Sequence, residues 1–207
     1  MSRHFLALSF ILALILILPS CARLSQPSPR IEYFTLEYDP PPAAASGSLP
    51  WVIKVERFSA APFHSSTRII YRDRSYERNA YTSDRWRSTP PDLVSYFLAR
   101  DLQHSGLFKA VLPYDTGQPY SHVLEGSVDE FLEWDREDSW EAVLTFTVTL
   151  MVAREPDISK RVLFQKTYRS KMTCRHRNPR ALAEAMSLAM ADLSAAVIRD
   201  VHAALAK

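Results

Sequence analysis

Cysteine is the residue type whose chemistry is most constrained in this 207-residue chain, which has only two of them. Cys21 closes the run Leu18-Pro19-Ser20-Cys21, behind a nearly all-apolar stretch over residues 5–18 and a basic start at Arg3 and His4. A basic segment, an apolar segment of this length and small residues before a cut mark a secretory signal. A cysteine as the first residue after the small one resembles a bacterial lipobox. There the thiol is diacylated through its sulfur and the chain is cut just before it. The bland alternative is an ordinary signal peptide with a chance cysteine. A membrane-spanning helix is a weaker rival, because residues 5–18 are too few to cross about 30 Å of hydrocarbon.

Other chemistry is hard to find. Cys174-Arg175-His176 brings two metal-capable side chains close in sequence, but no third ligand stands nearby. A packed cysteine and a surface histidine are expected, and no metal. His64, His104, His122 and His202 sit in unlike contexts. No nucleophile elbow, phosphate loop, HExxH or CxxC occurs. The sequence therefore nominates no catalytic residue, implies no cofactor, and predicts a protein that is not an enzyme.

Cleavage before Cys21 leaves 24 Lys and Arg against 23 Asp and Glu, a balance that argues neither for nor against nucleic acid, and none is expected as a partner. With the Cys21 sulfur acylated, no disulfide can form within one chain, so the domain must be held by its core. One acyl chain anchors only marginally, at about 0.8 kcal/mol per buried methylene, whereas several make attachment effectively permanent. Residue 22 is Ala rather than Asp. By similarity to sorting rules of enteric bacteria, this sends a lipoprotein to the outer membrane.

Several elements must then carry the domain. Residues 1–20 read as signal peptide, 21–30 as a lipidated Ser/Pro tether and 31–207 as one domain. Residues 31–36 read as a first strand and 39–50 as a Pro-rich loop. Residues 51–58 alternate, with Ile53 and Val55 on one face. Residues 69–72 and 76–81 suggest a hairpin. Ser88-Thr89-Pro90-Pro91-Asp92 predicts a capped helix start, Val94, Phe97, Leu98 and Leu102 form its stripe, and Gly106 ends it. A short strand over 108–112 precedes three long ones over 120–134, 140–154 and 161–175, joined by short linkers that favour an antiparallel meander. In the second of these, Ala142, Leu144, Phe146, Val148, Leu150 and Val152 face one way and Thr145, Thr147 and Thr149 the other. In the third, Val162, Phe164, Tyr168 and Met172 are expected inward. Asn178-Pro179 caps a last helix with the stripe Leu182, Met186, Ala189, Leu193, Val197, Val201 and Leu205. The predicted class is α+β: a mixed, mostly antiparallel sheet with two main helices on one face.

Charge is segregated. Residues 160–180 hold eight Lys and Arg and no acid; residues 129–141 hold seven acids and only Arg136 as a base. Arg161, Arg169, Lys171 and Arg175 are expected opposite the apolar face of their strand. That surface suits anionic headgroups or an acidic partner. The reading favoured here is that the two segments are sheet neighbours and neutralise each other, with Asp129, Glu133 or Glu141 facing the bases. Trp134 and Trp140 flank the acidic turn, as interface anchors or as caps on the sheet end. Trp86, just ahead of the Pro-Pro helix start, is expected to staple that corner; the alternative is a partner-facing Trp86.

The set Tyr33-Phe34-Thr35-Leu36, Val52-Ile53-Lys54-Val55, Ile70-Tyr71-Arg72, Tyr81, Arg85-Trp86 and Pro90-Pro91 resembles, in order, the ABC-type transport auxiliary lipoprotein family, of which the paraquat-inducible lipoprotein is the best-known type. The likeness continues through 102–108 and Leu124-Glu125-Gly126. The arginine-rich stretch 72–87 has no counterpart in it. The resemblance implies a periplasmic domain anchored in the outer membrane. It would work with an ABC transporter permease and ATPase and a mammalian-cell-entry (MCE) protein that move lipid between membranes, and would form a homo-oligomer. The alternatives are an assembly factor for an outer-membrane protein without a transporter, and a lipid-anchored hydrolase.

The lipobox yields a first expected outcome. Cys21→Ala leaves an uncleaved or soluble form and removes the protein from outer-membrane fractions. Fatty-acid labelling and membrane fractionation measure this; a variant still acylated and equally membrane-bound contradicts it.

Overall fold

The computed structural model describes residues 30–42 and 47–206. Cys21, the signal peptide and the tether over 21–29 lie outside the described residues. Residues 31–207 form one compact unit with a continuous core of its own. The α+β class is observed, with a single mixed sheet and both long helices against it.

The sheet is organised by one strand. β7 (His122–Asp135) pairs antiparallel along its whole length with β8 (Trp140–Val152), and β8 pairs antiparallel with β9 (Val162–Thr173). The predicted meander is thus present. The other edge of β7 is tiled by three short parallel strands. β2 (Leu49–Val55) meets it with Ile53 opposite His122, β3 (Ser59–Ala60) with Ser59 opposite Ser127, and β4 (Arg68–Arg72) with Ile70 opposite Leu132. β6 (Phe108–Leu112) extends the sheet beyond β2, in parallel. β5 (Asn79–Trp86) forms the expected hairpin with β4, and β1 (Glu32–Phe34) adds to β5 in parallel. The strand expected over 31–36 therefore shrinks to three residues.

α1 (Pro90–His104) starts after Thr89 and ends at Ser105 before Gly106, whose φ of +67° lies in the left-handed region. Glycine adopts that conformation without a Cβ penalty. The expected hydroxyl cap is not made: the Thr89 hydroxyl donates to the Asp92 carboxylate at 2.6 Å instead of accepting from the backbone. α3 (Pro179–Leu205) is capped as predicted, the Asn178 side chain accepting from Ala181 N at 2.9 Å. Its whole predicted stripe is buried. Tyr168 and Lys166 of β9 both donate to Asp200 of α3, at 2.7 and 2.6 Å, and fix the helix to the sheet.

Residue parity on β7 changes partway along. The register with β8 shifts between Val128 and Glu130, a β-bulge that leaves Asp129 as the extra residue. A bulge opposes two residues to one and so exchanges the faces that follow. Before it, His122, Leu124 and Val128 are buried under the helices; after it, Phe131 and Glu133 are. Glu130, Leu132 and Trp134 consequently face away from the helices. On β9 the inward set is Phe164, Tyr168, Ser170 and Met172. Val162 is 44% exposed, contrary to expectation, because the β8–β9 register shifts between Leu150 and Met151. Arg161 and Arg175 also leave the predicted strand. Arg161 ends the short helix α2 (Ile158–Arg161) and donates to the Glu155 carbonyl, and Arg175 lies beyond the end of β9.

Trp86 is 1% exposed and packs edge-on against Phe131, with ring centroids 5.1 Å apart. It belongs to the core and is not a partner-facing side chain. Gly126 is fixed by packing as well: a Cβ there would lie 2.6 Å from the Phe58 ring and would also meet the Thr147 carbonyl oxygen. Two outcomes follow. Trp86→Ala lowers stability by about 3–5 kcal/mol. Gly126→Ala lowers it by about 1–3 kcal/mol, through overpacking rather than a cavity. Denaturant titrations measure both; a Trp86→Ala variant of unchanged stability rejects its core role.

Candidate functional site

The sheet face turned away from the helices gathers the charged side chains. Thr145, Thr147 and Thr149 of β8 lie there, as predicted, between β7 and β9. Arg169 on β9 pairs with Glu130 on β7 at 3.1 Å, and Glu130 also accepts from Thr145 at 2.7 Å. This is the expected neutralisation across the sheet, but with an unexpected acid. Alternation without a bulge places Glu133 on this face; the extra residue at Asp129 turns Glu133 inward and Glu130 outward. Asp129 accepts from Thr147 at 3.0 Å, and Glu141 pairs with Arg136 at 3.1 Å.

Trp134 is the centre of this face. The Arg72 and Arg136 guanidinium carbons lie 3.5 and 3.8 Å from its ring centroid, and the Lys171 ammonium lies at 4.6 Å. The ring rests on a small buried cluster of Ile70, Leu132 and Val143. Three cations around one indole is an electrostatically attractive arrangement for the ring and a repulsive one between the cations. Arg72 and Lys171 have no acidic partner within ion-pair distance among the described residues. Trp140 is on the other side of the sheet, opposite Asp135, and packs against the main core. It caps the sheet end; both tryptophans are partly buried, on opposite faces.

A second feature escaped the sequence altogether. A cleft of about 570 Å³ opens between α1 and β2, lined by Val55, Leu93, Phe97, Ala99, Pro113 and Tyr114, with Tyr96 exposed beside it. Arg57 and Asp92 form a two-bond ion pair at its wall, at 2.5 and 2.9 Å. Burial alone would raise the Asp92 carboxyl; hydrogen bonds from Arg57 and Thr89 outweigh it and hold the group below its ordinary value. The lining comes from four separate stretches, so no spacing in the chain announces it.

Two buried titratable groups are the remaining candidates for chemistry. Glu133 is 1% exposed and accepts from the Tyr81 hydroxyl at 2.9 Å. Burial pushes its carboxyl up to about 7, against the opposing hydrogen bond from Tyr81. His64 is fully buried, and burial pushes its imidazole down to about 4. Neither lines the clefts described for this surface. Cys174 is buried and free, its thiol pushed up to about 11 by burial, which makes it a packed cysteine as expected. Among the described residues no cluster of three or more His, Cys, Asp or Glu could hold a metal ion.

Glu133 and His64 shape stability against pH with opposite signs. A folded carboxyl at about 7 keeps a proton that the unfolded chain releases above its ordinary 4.5. Its contribution is therefore lost as pH rises from about 4.5 to about 7. A folded imidazole at about 4 refuses a proton that the unfolded chain takes up below 6.5, so that contribution is lost as pH falls through this range. Glu133→Gln removes only the first effect. Its stability relative to the wild type rises with pH between about 4.5 and 7 in denaturant titrations; a pH-independent difference contradicts the buried, protonated carboxyl.

Comparison with known proteins bears on the fold and the family. A solved structure from Xanthomonas campestris, of the DUF330 family, superposes with a TM-score of 0.74 at 18% identity, covering 84% of this chain and 96% of that one. An uncharacterised protein superposes with a TM-score of 0.64 at 12% identity, covering 84% and 99%. A hypothetical protein of Chlamydia trachomatis does so with a TM-score of 0.50 at 9% identity, covering 76% and 98%. At these identities the likeness is one of fold. No curated protein matches the chain. The family model of the ABC-type transport auxiliary lipoprotein component matches residues 34–198, from β1 into the last third of α3. With the match spanning nearly the whole compact unit, the chain belongs to the ABC-type transport auxiliary lipoprotein family.

Proposed function

We propose that this protein is a periplasmic lipoprotein, held in the outer membrane by acylated Cys21, that docks or stabilises an MCE-type intermembrane lipid transport complex. The observation that carries this reading is the family match over residues 34–198, behind a cysteine at the position that lipid attachment requires. The protein acts by binding rather than by catalysis. Its contact partners are an MCE-domain protein and, through it, the ABC permease and ATPase, with several copies of this chain assembled together. The largely apolar cleft walled by the Arg57–Asp92 pair is the surface that suits such contacts.

Purification of the native, membrane-extracted lipoprotein followed by identification of bound proteins tests the proposal. An MCE-domain protein is expected in the eluate, with the lipoprotein running as a homo-oligomer. Recovery with an outer-membrane β-barrel and no transporter component contradicts it and favours the assembly-factor reading.

A further inference from the structure

Two of the cations around Trp134 have no acidic partner among the described residues. On this face Arg72, Arg136, Arg169 and Lys171 stand against Glu130, Glu141 and Asp129. Glu130 and Glu141 are taken by Arg169 and Arg136. Arg72 and Lys171 remain, both against the same indole. Burial holds the Arg72 guanidinium below its ordinary value; repulsion from Arg78, Arg136 and Arg169 adds to this, and attraction to Glu130 opposes it. The β4–β5 hairpin adds no net charge, since Asp73 and Glu77 offset Arg74 and Arg78. Its tip carries Arg74 and Arg78 on either side of Tyr76, which is wholly exposed and has a φ of +67°.

The way the chain enters the domain gives this end of the sheet an orientation. β1 is parallel to β5, with Glu32 opposite Asp84. β5 begins at Asn79, beside Tyr71 and next to Arg72. The N-terminal end of β1 is therefore directed toward the end of the sheet that carries Trp134, Arg72 and the hairpin tip. Asp84 lies five residues beyond Asn79, about 17 Å along the strand.

We propose that the face formed by Trp134, Arg72 and Lys171, with the Tyr76 hairpin tip beside it, rests on the anionic phosphate headgroups of the bilayer in which the protein is anchored. It rests on the reading of Cys21 as lipidated for its orientation, and deepens the proposed function by fixing which side of the domain faces the membrane. Two unpaired cations supply the charge complementarity, each attracted to a negatively charged surface within a Debye length. Trp134 and Tyr76 supply rings with one apolar and one polar end, suited to the headgroup level. The opposite side of the sheet, with the helices and the cleft, is then left free for the transport partners.

Residues 31–207 carry every described element and the whole core, so this unanchored domain is the form to test. It is sedimented with phosphatidylcholine vesicles, with and without phosphatidylglycerol, at low and high salt. Binding is expected only to the anionic vesicles, with release at high salt. Arg72→Glu with Lys171→Glu weakens that binding by at least about tenfold. Lys160→Glu, on exposed α2, leaves it unchanged. Arg72→Gln with Lys171→Gln, checked by melting temperature, serves if the double reversal does not fold. A domain that ignores anionic vesicles at low salt overturns the proposal, as does one whose binding survives both pairs of substitutions. Since the domain lacks Cys21 and no partner is present, neither result depends on acylation or on the transport complex.

Discussion

One additional residue in one strand sets the sides of this molecule. β7 is paired along one edge with β8 and along the other with β2, β3 and β4, so it cannot slip without breaking four ladders. Asp129 is accommodated as a bulge, and from there on the odd-numbered side chains of β7 turn toward the helices. Phe131 thereby reaches Trp86, and Glu133 reaches Tyr81. The same reversal delivers Glu130 to Arg169 and Trp134 to its three cations. Register is strongly specified where one face is buried, and both halves of β7 bury one.

The two sides differ in what holds them. The helix side is a continuous apolar core, where shape decides: Phe58 lies on the Cα of Gly126, and no larger side chain fits between. The outer side is held by contacts that are individually weak. The Arg169–Glu130 pair has side chains 51% and 24% exposed, and such pairs contribute about 0–1 kcal/mol. An exposed cation over an indole contributes roughly 0.5–1 kcal/mol. This side adds little to stability, so it is free to vary toward a function, and the two cations beside Trp134 that have no acidic partner among the described residues are the part that folding alone does not explain.

Much of the fold was legible because its long elements follow one period throughout. The stripe from Leu182 to Leu205 is buried as read, and so is the alternation from Ala142 to Leu150, with Val152 at the strand end only partly covered. Caps and breakers were legible in part: Asn178 caps and Gly106 terminates, but Thr89 gives its proton to Asp92. The face of Glu133 was not legible, because a bulge without glycine leaves no mark in the sequence and alternation carries straight through it. The parallel pairing of β2, β3 and β4 with β7 was not legible either, since it depends on loops and not on strand pattern. Trp86 was visible as a large aromatic at a corner, and its burial needed Phe131, forty-five positions away. The arginines at 72–87 stood out but had no assignment until Trp134 was placed beside Arg72.

Single-cysteine labelling of β7 tests the change of face most directly. In the 31–207 domain, with the buried Cys174 retained as an unreactive thiol, Ser127→Cys and Glu130→Cys should label rapidly with a thiol reagent. Val128→Cys and Glu133→Cys should be protected. That pattern is odd-outward before Asp129 and even-outward after it. If Ser127→Cys and Glu133→Cys label alike while Glu130→Cys is protected, the strand alternates without interruption, and both the outward placement of Trp134 and the face built on it are wrong.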